Sequence, residues 1–143
     1  MTALALDVGD RRIGVAVSDP TRLVARPLSV LRRRSNVDDA EAIRFIADQH
    51  QATTIVVGLP LGADDQVGSQ AQKAIAFTRF LRRHLTHEVV SWDERLSTCD
   101  AERQMLASGV RRKRRKALID AAAAAVILDG WLEAQRPVSP PAP

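Results

Sequence analysis

Leu4-Ala5-Leu6-Asp7-Val8-Gly9-Asp10-Arg11-Arg12-Ile13-Gly14-Val15-Ala16-Val17-Ser18 is the stretch on which the fold turns. Residues 3–8 read as a buried strand with an acid near its end, because an apolar run leads directly into Asp7. Gly9-Asp10-Arg11-Arg12 is turn chemistry, with a glycine free to take positive φ. Residues 13–18 are rich in β-branched side chains and read as the returning strand. Asp19-Pro20 breaks it. Residues 23–31 return once more, and Pro27, which has no N–H for a ladder, marks this third strand as an edge. The chain opens as an antiparallel meander.

Downstream the period changes. Asn36 is placed to cap a helix over roughly 37–50, with Val37, Ala40, Ile43, Ile46 and Ala47 at helical spacing. Thr54-Ile55-Val56-Val57 is a short apolar strand that runs into Gly58-Leu59-Pro60, and a polar loop over 61–68 follows. A helix is expected over 69–85, with Ala71, Ala74, Ile75, Phe77, Thr78 and Leu81 toward the core. Glu88-Val89-Val90-Ser91-Trp92 is the last strand, closed by Asp93-Glu94-Arg95. Ser97 can cap a helix through Ala107, ended by Gly109, and a long Ala-rich helix runs from Ala117 to Ala134. The order β-β-β-α-β-α-β-α-α describes an α/β protein: a mixed sheet with helices on its faces. One domain over 1–136 is expected, followed by a disordered Pro-rich tail over 137–143.

The charge is unevenly spread. The 143 residues carry 21 Lys+Arg against 17 Asp+Glu, a net of +4. Arg111-Arg112-Lys113-Arg114-Arg115-Lys116 holds six of those cations, and without them the balance is 15 against 17, or −2. A near-neutral domain with one dense basic run is expected, with a lesser cluster at Arg32-Arg33-Arg34. No apolar stretch approaches a membrane span, so no membrane partner is expected. The N-terminus makes a poor signal peptide, because no basic region precedes its apolar run and Asp7 interrupts it. Cys99 is the sole cysteine, which rules out an internal disulfide and a Cys-based zinc site. His50, His84 and His87 show no metal-ligand spacing with acids. A cytoplasmic location is the expectation.

Taken singly, the acids have ordinary explanations. Asp7 could satisfy turn amides. Asp93 and Glu94 could end a strand in water, only one of the two facing any given side. Asp120 could favour the first turn of its helix. That last explanation does not account for its company, since Asp120 shares a helical face with Ala123, Ala124, Ile127 and Trp131. Two strand-end acids and one acid on a core-facing helix can converge on one point. Uncompensated, they would raise one another's pKa. A divalent cation relieves that conflict, and oxygen-only ligands suit Mg²⁺ or Mn²⁺. Such ions activate water and stabilise the leaving oxygen of a phosphodiester. The basic run Arg111 to Lys116 fits that substrate, with Arg12 counted among the phosphate contacts. With 3% aromatic residues, contact should be with the backbone rather than by base stacking.

At these residues the sequence resembles a known family. Leu6-Asp7-Val8-Gly9 with Arg12-Ile13-Gly14-Val15-Ala16-Val17-Ser18-Asp19 is similar to the opening of the YqgF family, also called RuvX, of pre-16S rRNA nucleases. Val56-Val57-Gly58-Leu59-Pro60-Leu61 resembles its second block, Asp93-Glu94-Arg95-Leu96-Ser97-Thr98 with Ala101-Glu102 its third, and Ile119-Asp120 with Ala122-Ala123 and Ile127-Leu128 its fourth. The resemblance implies an RNase H-like fold with a five-stranded mixed sheet flanked by helices. It implies a cytoplasmic hydrolase trimming the 5′ end of the 16S rRNA precursor in ribosome biogenesis. It carries the family's acids onto Asp7, onto the Asp93-Glu94 pair with Glu94 preferred as catalytic, and onto Asp120, all four as ligands of Mg²⁺ or Mn²⁺. One departure stands out: the strand ending at Gly58-Leu59-Pro60 has no acid where many RNase H-like nucleases place one, and the carboxylate comes from the fifth strand. Structured RNA is the expected partner, with DNA open, for a monomer or homodimer. Two rival readings remain: a Holliday-junction resolvase acting on branched DNA, and a non-catalytic RNA-binding factor of the ribosome or transcription machinery.

Overall fold

The computed structural model describes residues 1–60, 68–94 and 112–136. These form β1 (Thr2–Val8), β2 (Arg12–Ser18), β3 (Ala25–Arg32), α1 (Asn36–Gln49), β4 (Ala52–Leu59), α2 (Ser69–His84), β5 (Glu88–Asp93) and α3 (Arg112–Gln135). The sheet order is β3-β2-β1-β4-β5. β1, β2 and β3 pair antiparallel, whereas β1–β4 and β4–β5 are parallel. The expected five-stranded mixed sheet is therefore present. Pro27 lies on an edge strand, and the register shifts beside it, where Val15 pairs with Ser29 and Ala16 with Pro27. The polar loop over 61–67, the helix from Ser97 to Ala107 and the tail over 137–143 lie outside the described residues.

Strand alternation sorts the core into two layers. Leu4, Leu6, Val8, Ile13, Val15, Ile55 and Val57 pack with Ile43, Phe77 and Leu81 of α1 and α2. Ala3, Ala5, Ala16 and Val56 face the other way and pack against Ala124, Leu128, Trp131 and Leu132 of α3. On β1 and β2 the α3 face of the sheet is made of small residues, Ala3, Ala5, Gly14 and Ala16, so the helix can lie close there. Leu128 and Leu132 then fill the gap, each worth about 1.5–3 kcal/mol of burial. The helix runs from Asp120 beside β2 to the far end of the sheet, where Asp129 Oδ1 accepts the Ala25 N–H at 2.9 Å. Among the described residues no helix is long and apolar enough to cross a membrane.

Four expectations need correction. Ser35, not Asn36, caps α1, its side chain accepting the Asp38 N–H. Val37 is exposed while Asp39 is buried, because Arg33 reaches in to pair with it. On α3, Ala124, Ile127 and Trp131 are buried as expected, while Ala123 is only half-buried. The helix also starts at Arg112 rather than Ala117. The basic residues are therefore its first turns, against the sense of the helix dipole.

Candidate active site

Asp7 is the penultimate residue of β1, opposite Gly14 of β2. It follows Ala3 and Ala5 in alternation and so stands on the α3 face. Glu94 follows Val90 and Trp92 in the same way, both of which pack toward α3. The Asp7 and Glu94 side chains are hydrogen-bonded to each other. Asp93, the last residue of β5, pairs in register with Leu59 and falls on the opposite alternation. Its charge still reaches Glu94.

Two glycines make the space. A Cβ at Gly58 would lie 2.7 Å from Glu94 Oε1 and 2.5 Å from Ile127 Cδ1, so the bare backbone at the end of β4 gives the Glu94 side chain room beside Asp7. A Cβ at Gly14 would collide with the backbone carbonyl of Asp120. The helix thus rests directly on β2 and brings Asp120 within electrostatic reach of Asp7. Asp120 is the ninth residue of α3, well beyond the first turn, so the helix dipole does not explain it.

The electrostatics follow from this crowding. Burial is the main cause that pushes Glu94 up to about 7, with the charge of Asp7, the hydrogen bond to Asp7 and the charge of Asp93 behind it. Asp7 is raised too, first by burial and then by the charge of Asp120, while its bond to Glu94 offsets part of the rise. As pH falls through about 7 Glu94 takes up a proton, which it can donate to the Asp7 carboxylate. Asp120 finds a different counter-charge: Arg12 Nε lies 3.0 Å from its Oδ2. That contact lacks hydrogen-bond alignment, so this buried oxygen accepts no hydrogen bond.

A hard divalent cation suits this donor set. All donors are carboxylate oxygens, one buried oxygen is without a hydrogen bond, and two of the carboxyls are drawn together against each other. Among the described residues no three acids, histidines or cysteines stand close enough together to hold an ion as they are. Asp7, Glu94 and Asp120 are the residues that would hold such an ion, and its charge would relieve their mutual repulsion.

The turn beside Asp7 is braced. Gly9 N–H donates to the Arg12 carbonyl at 2.8 Å, Gln70 Nε2 to the Val8 carbonyl at 2.9 Å, and Arg33 Nη1 to the Gly9 carbonyl at 3.2 Å. Lys73 Nζ pairs with Asp10 at 2.8 Å. Sequence reasoning passed over Gln70, Lys73 and the role of Arg33, since nothing local marks a side chain whose partner is distant in sequence. Gly14 did carry a signal: a glycine inside a β-branched strand marks close backbone approach.

Arg111 lies outside the described residues, while Arg112, Lys113, Arg114, Arg115 and Lys116 lie on the first turns of α3. At 1.5 Å per residue they stand about 6–12 Å along the helix axis from Asp120. Asp120 is already over Gly14, near the start of β2, so these turns project past the sheet end where Asp7 and Glu94 stand.

Comparison with known proteins fits this architecture. Residues 1–134 match the family model described as "RuvX: Holliday junction resolvase". A Clostridium botulinum (strain Hall) protein is 41% identical over 133 residues, covering 93% of this chain and 97% of its own. A Synechococcus sp. (strain JA-3-3Ab) protein is 48% identical over 135 residues, covering 94% and 85%. Both bear the name "Putative pre-16S rRNA nuclease". Among solved structures, T. thermophilus RuvC in complex with Holliday junction substrate superposes with a TM-score of 0.56 at 14% identity, over 94% of this chain and 96% of that one. The fowlpox virus resolvase gives 0.55 at 12% identity, over 94% and 98%. At these identities the likeness is one of fold.

Proposed function

Since the chain belongs to the RuvX family, we propose that it is a divalent-metal-dependent nuclease of the cytoplasm that hydrolyses phosphodiester bonds at the 5′ end of pre-16S rRNA. The observation that carries this reading is the meeting of Asp7 and Glu94 at one sheet end, with Asp120 brought beside them by the glycine contact of α3 on β2.

Asp7, Glu94 and Asp120 would hold Mg²⁺ or Mn²⁺, with Asp93 lending charge from the adjacent position. Bound there, the ion supplies activation of water and neutralisation of charge on the phosphate. The chain's own groups do the rest. Glu94 gives up to solvent the proton it donates to Asp7, which turns a singly charged pair into two carboxylates. Arg12 stands at Asp120, where a phosphate brought to the acids would meet a guanidinium. The first turns of α3 offer a backbone-binding strip past the sheet end.

The test is cleavage of 16S precursor RNA by wild type and Asp120→Asn, with and without Mn²⁺. Asn keeps the shape and removes the charge, so the variant should bind RNA yet lose cleavage. Unchanged cleavage in the variant sinks the assignment. The resolvase reading keeps support from the family description and the shared fold, and faster cutting of four-way DNA junctions than of precursor RNA would favour it. Salt-sensitive RNA binding by wild type without metal-dependent cleavage would favour the non-catalytic factor instead.

A further inference from the structure

Arg32, Arg33 and Arg34 form one basic cluster in sequence, and the fold divides it. Arg33 turns inward. Its Nε lies 3.2 Å from Asp39 Oδ2, its Nη1 and Nη2 donate to the Gly9 carbonyl and Asn36 Oδ1, and its guanidinium stacks 4.8 Å from the Phe77 ring centre. Arg32 and Arg34 stay exposed. Among the described residues neither has a carboxylate at ion-pair distance.

Arg32 lies directly opposite Arg12 in the β2–β3 ladder. Cross-strand partners share a face, so Arg32 stands on the α3 side, next to the residue that reaches Asp120. Like charges directly opposite one another destabilise a sheet. Arg12 has Asp120 as its counter-charge, and Arg32 is left to an external anion. Arg34 lies two residues on, just beyond the end of β3, where its backbone N–H donates to Asp39 Oδ1 at 3.0 Å and its side chain stays exposed.

We propose that Arg32 and Arg34 are a second phosphate-binding strip, which holds the nucleic-acid backbone beside the acids at the β3 edge, separately from the basic turns of α3. The proposal rests on the nuclease reading for its partner but is tested by binding alone. A charged edge strand has another established use, as a guard against pairing with a second sheet, and the experiment separates the two.

Arg32→Gln/Arg34→Gln and wild type are compared for binding a fluorescein-labelled single-stranded RNA by anisotropy, over a salt series without divalent ions. Two lost contacts should lower the slope of log affinity against log salt by about 1.4 and weaken binding at low salt roughly ten-fold. Arg32→Lys/Arg34→Lys should keep most of the slope, and Arg34→Gln alone, at a position outside the strand, should lose about half of that 1.4. Wild-type affinity and slope in the Gln variants overturn the proposal. So does a double Gln variant that self-associates in sedimentation while binding RNA normally, which assigns the charges to edge protection. RNA binding that depends on the strip in a chain that cleaves nothing would refute the nuclease reading and leave this one standing.

Discussion

Gly14→Ala tests the contact on which the site depends. The added Cβ would meet the Asp120 carbonyl oxygen and carbon and lie 3.1 Å from the Ala121 nitrogen. All three are backbone atoms of a helix, so no rotamer change relieves the clash. The helix must retreat by about 1 Å before the nearest contact becomes tolerable. A gap of that size forfeits a quarter to a half of the dispersion energy of the facing atoms, here Ala124, Leu128 and Leu132 against Ala3, Ala5 and Ala16. Overpacking of this kind costs about 1–3 kcal/mol, and the stiffer unfolded chain of an alanine returns about 0.4–1 kcal/mol. The melting temperature should fall by roughly 3–10 °C. The larger effect is on the site. Asp120 moves with its helix, and a displacement of about 1 Å costs on the order of 100-fold in rate. Gly68→Ala is the control. Nothing lies within 4 Å of a Cβ there and φ is −73°, so only its helix-capping position is touched, at most about 1 kcal/mol. Urea and thermal unfolding with metal-dependent cleavage read both quantities. A Gly14→Ala protein that melts and cleaves like wild type would refute close helix docking as the device that places Asp120.

Two more expectations follow from the charges. Glu94, about 4.5 when unfolded and about 7 when folded, binds its proton more tightly in the native state, so its contribution is full below 4.5 and lost as pH rises through 7. Metal-free stability should drop by about 1–3 kcal/mol over that window, allowing for screening of a partly exposed group. Asp10 and Asp19 are held below 3.8 and act only in more acid solution. Mn²⁺ should therefore raise the melting temperature more at pH 8 than at pH 5, and a flat metal-free profile would contradict the shared proton. Separately, Arg33→Ala leaves Asp39 buried without its cation and should cost about 3 kcal/mol in urea unfolding. Arg44→Ala breaks the exposed pair with Glu41 and a long, 3.4 Å hydrogen bond to the His84 carbonyl, and should stay within about 1 kcal/mol.

Much of this molecule is legible along the chain because its signals are local. Alternation in β1 and β2, the Gly9 turn and Pro27 gave the meander and its edge. The 3.6-residue period in the last helix put Asp120 on the packed side. The strand-end acids were visible as Asp7 and the Asp93-Glu94 pair, and their blocks carried the family resemblance. What pattern could not supply was distance. Glu94 rather than Asp93 meets Asp7 because alternation continues one residue beyond β5 and Gly58 leaves room for the side chain. Arg33 looked like its neighbours in a basic run, and only the buried carboxylate of Asp39 sets it apart.

The sequence by itself determined the order of elements, the two-sided sheet and the identity of the acids, because these rest on periodicity and on turn chemistry within a few residues. The tertiary structure decided which acids share a proton, which arginine balances Asp120 and which arginines remain for a ligand. Those outcomes depend on gaps of an ångström or so between segments distant in sequence, set where Gly14 meets Asp120 and Gly58 meets Glu94.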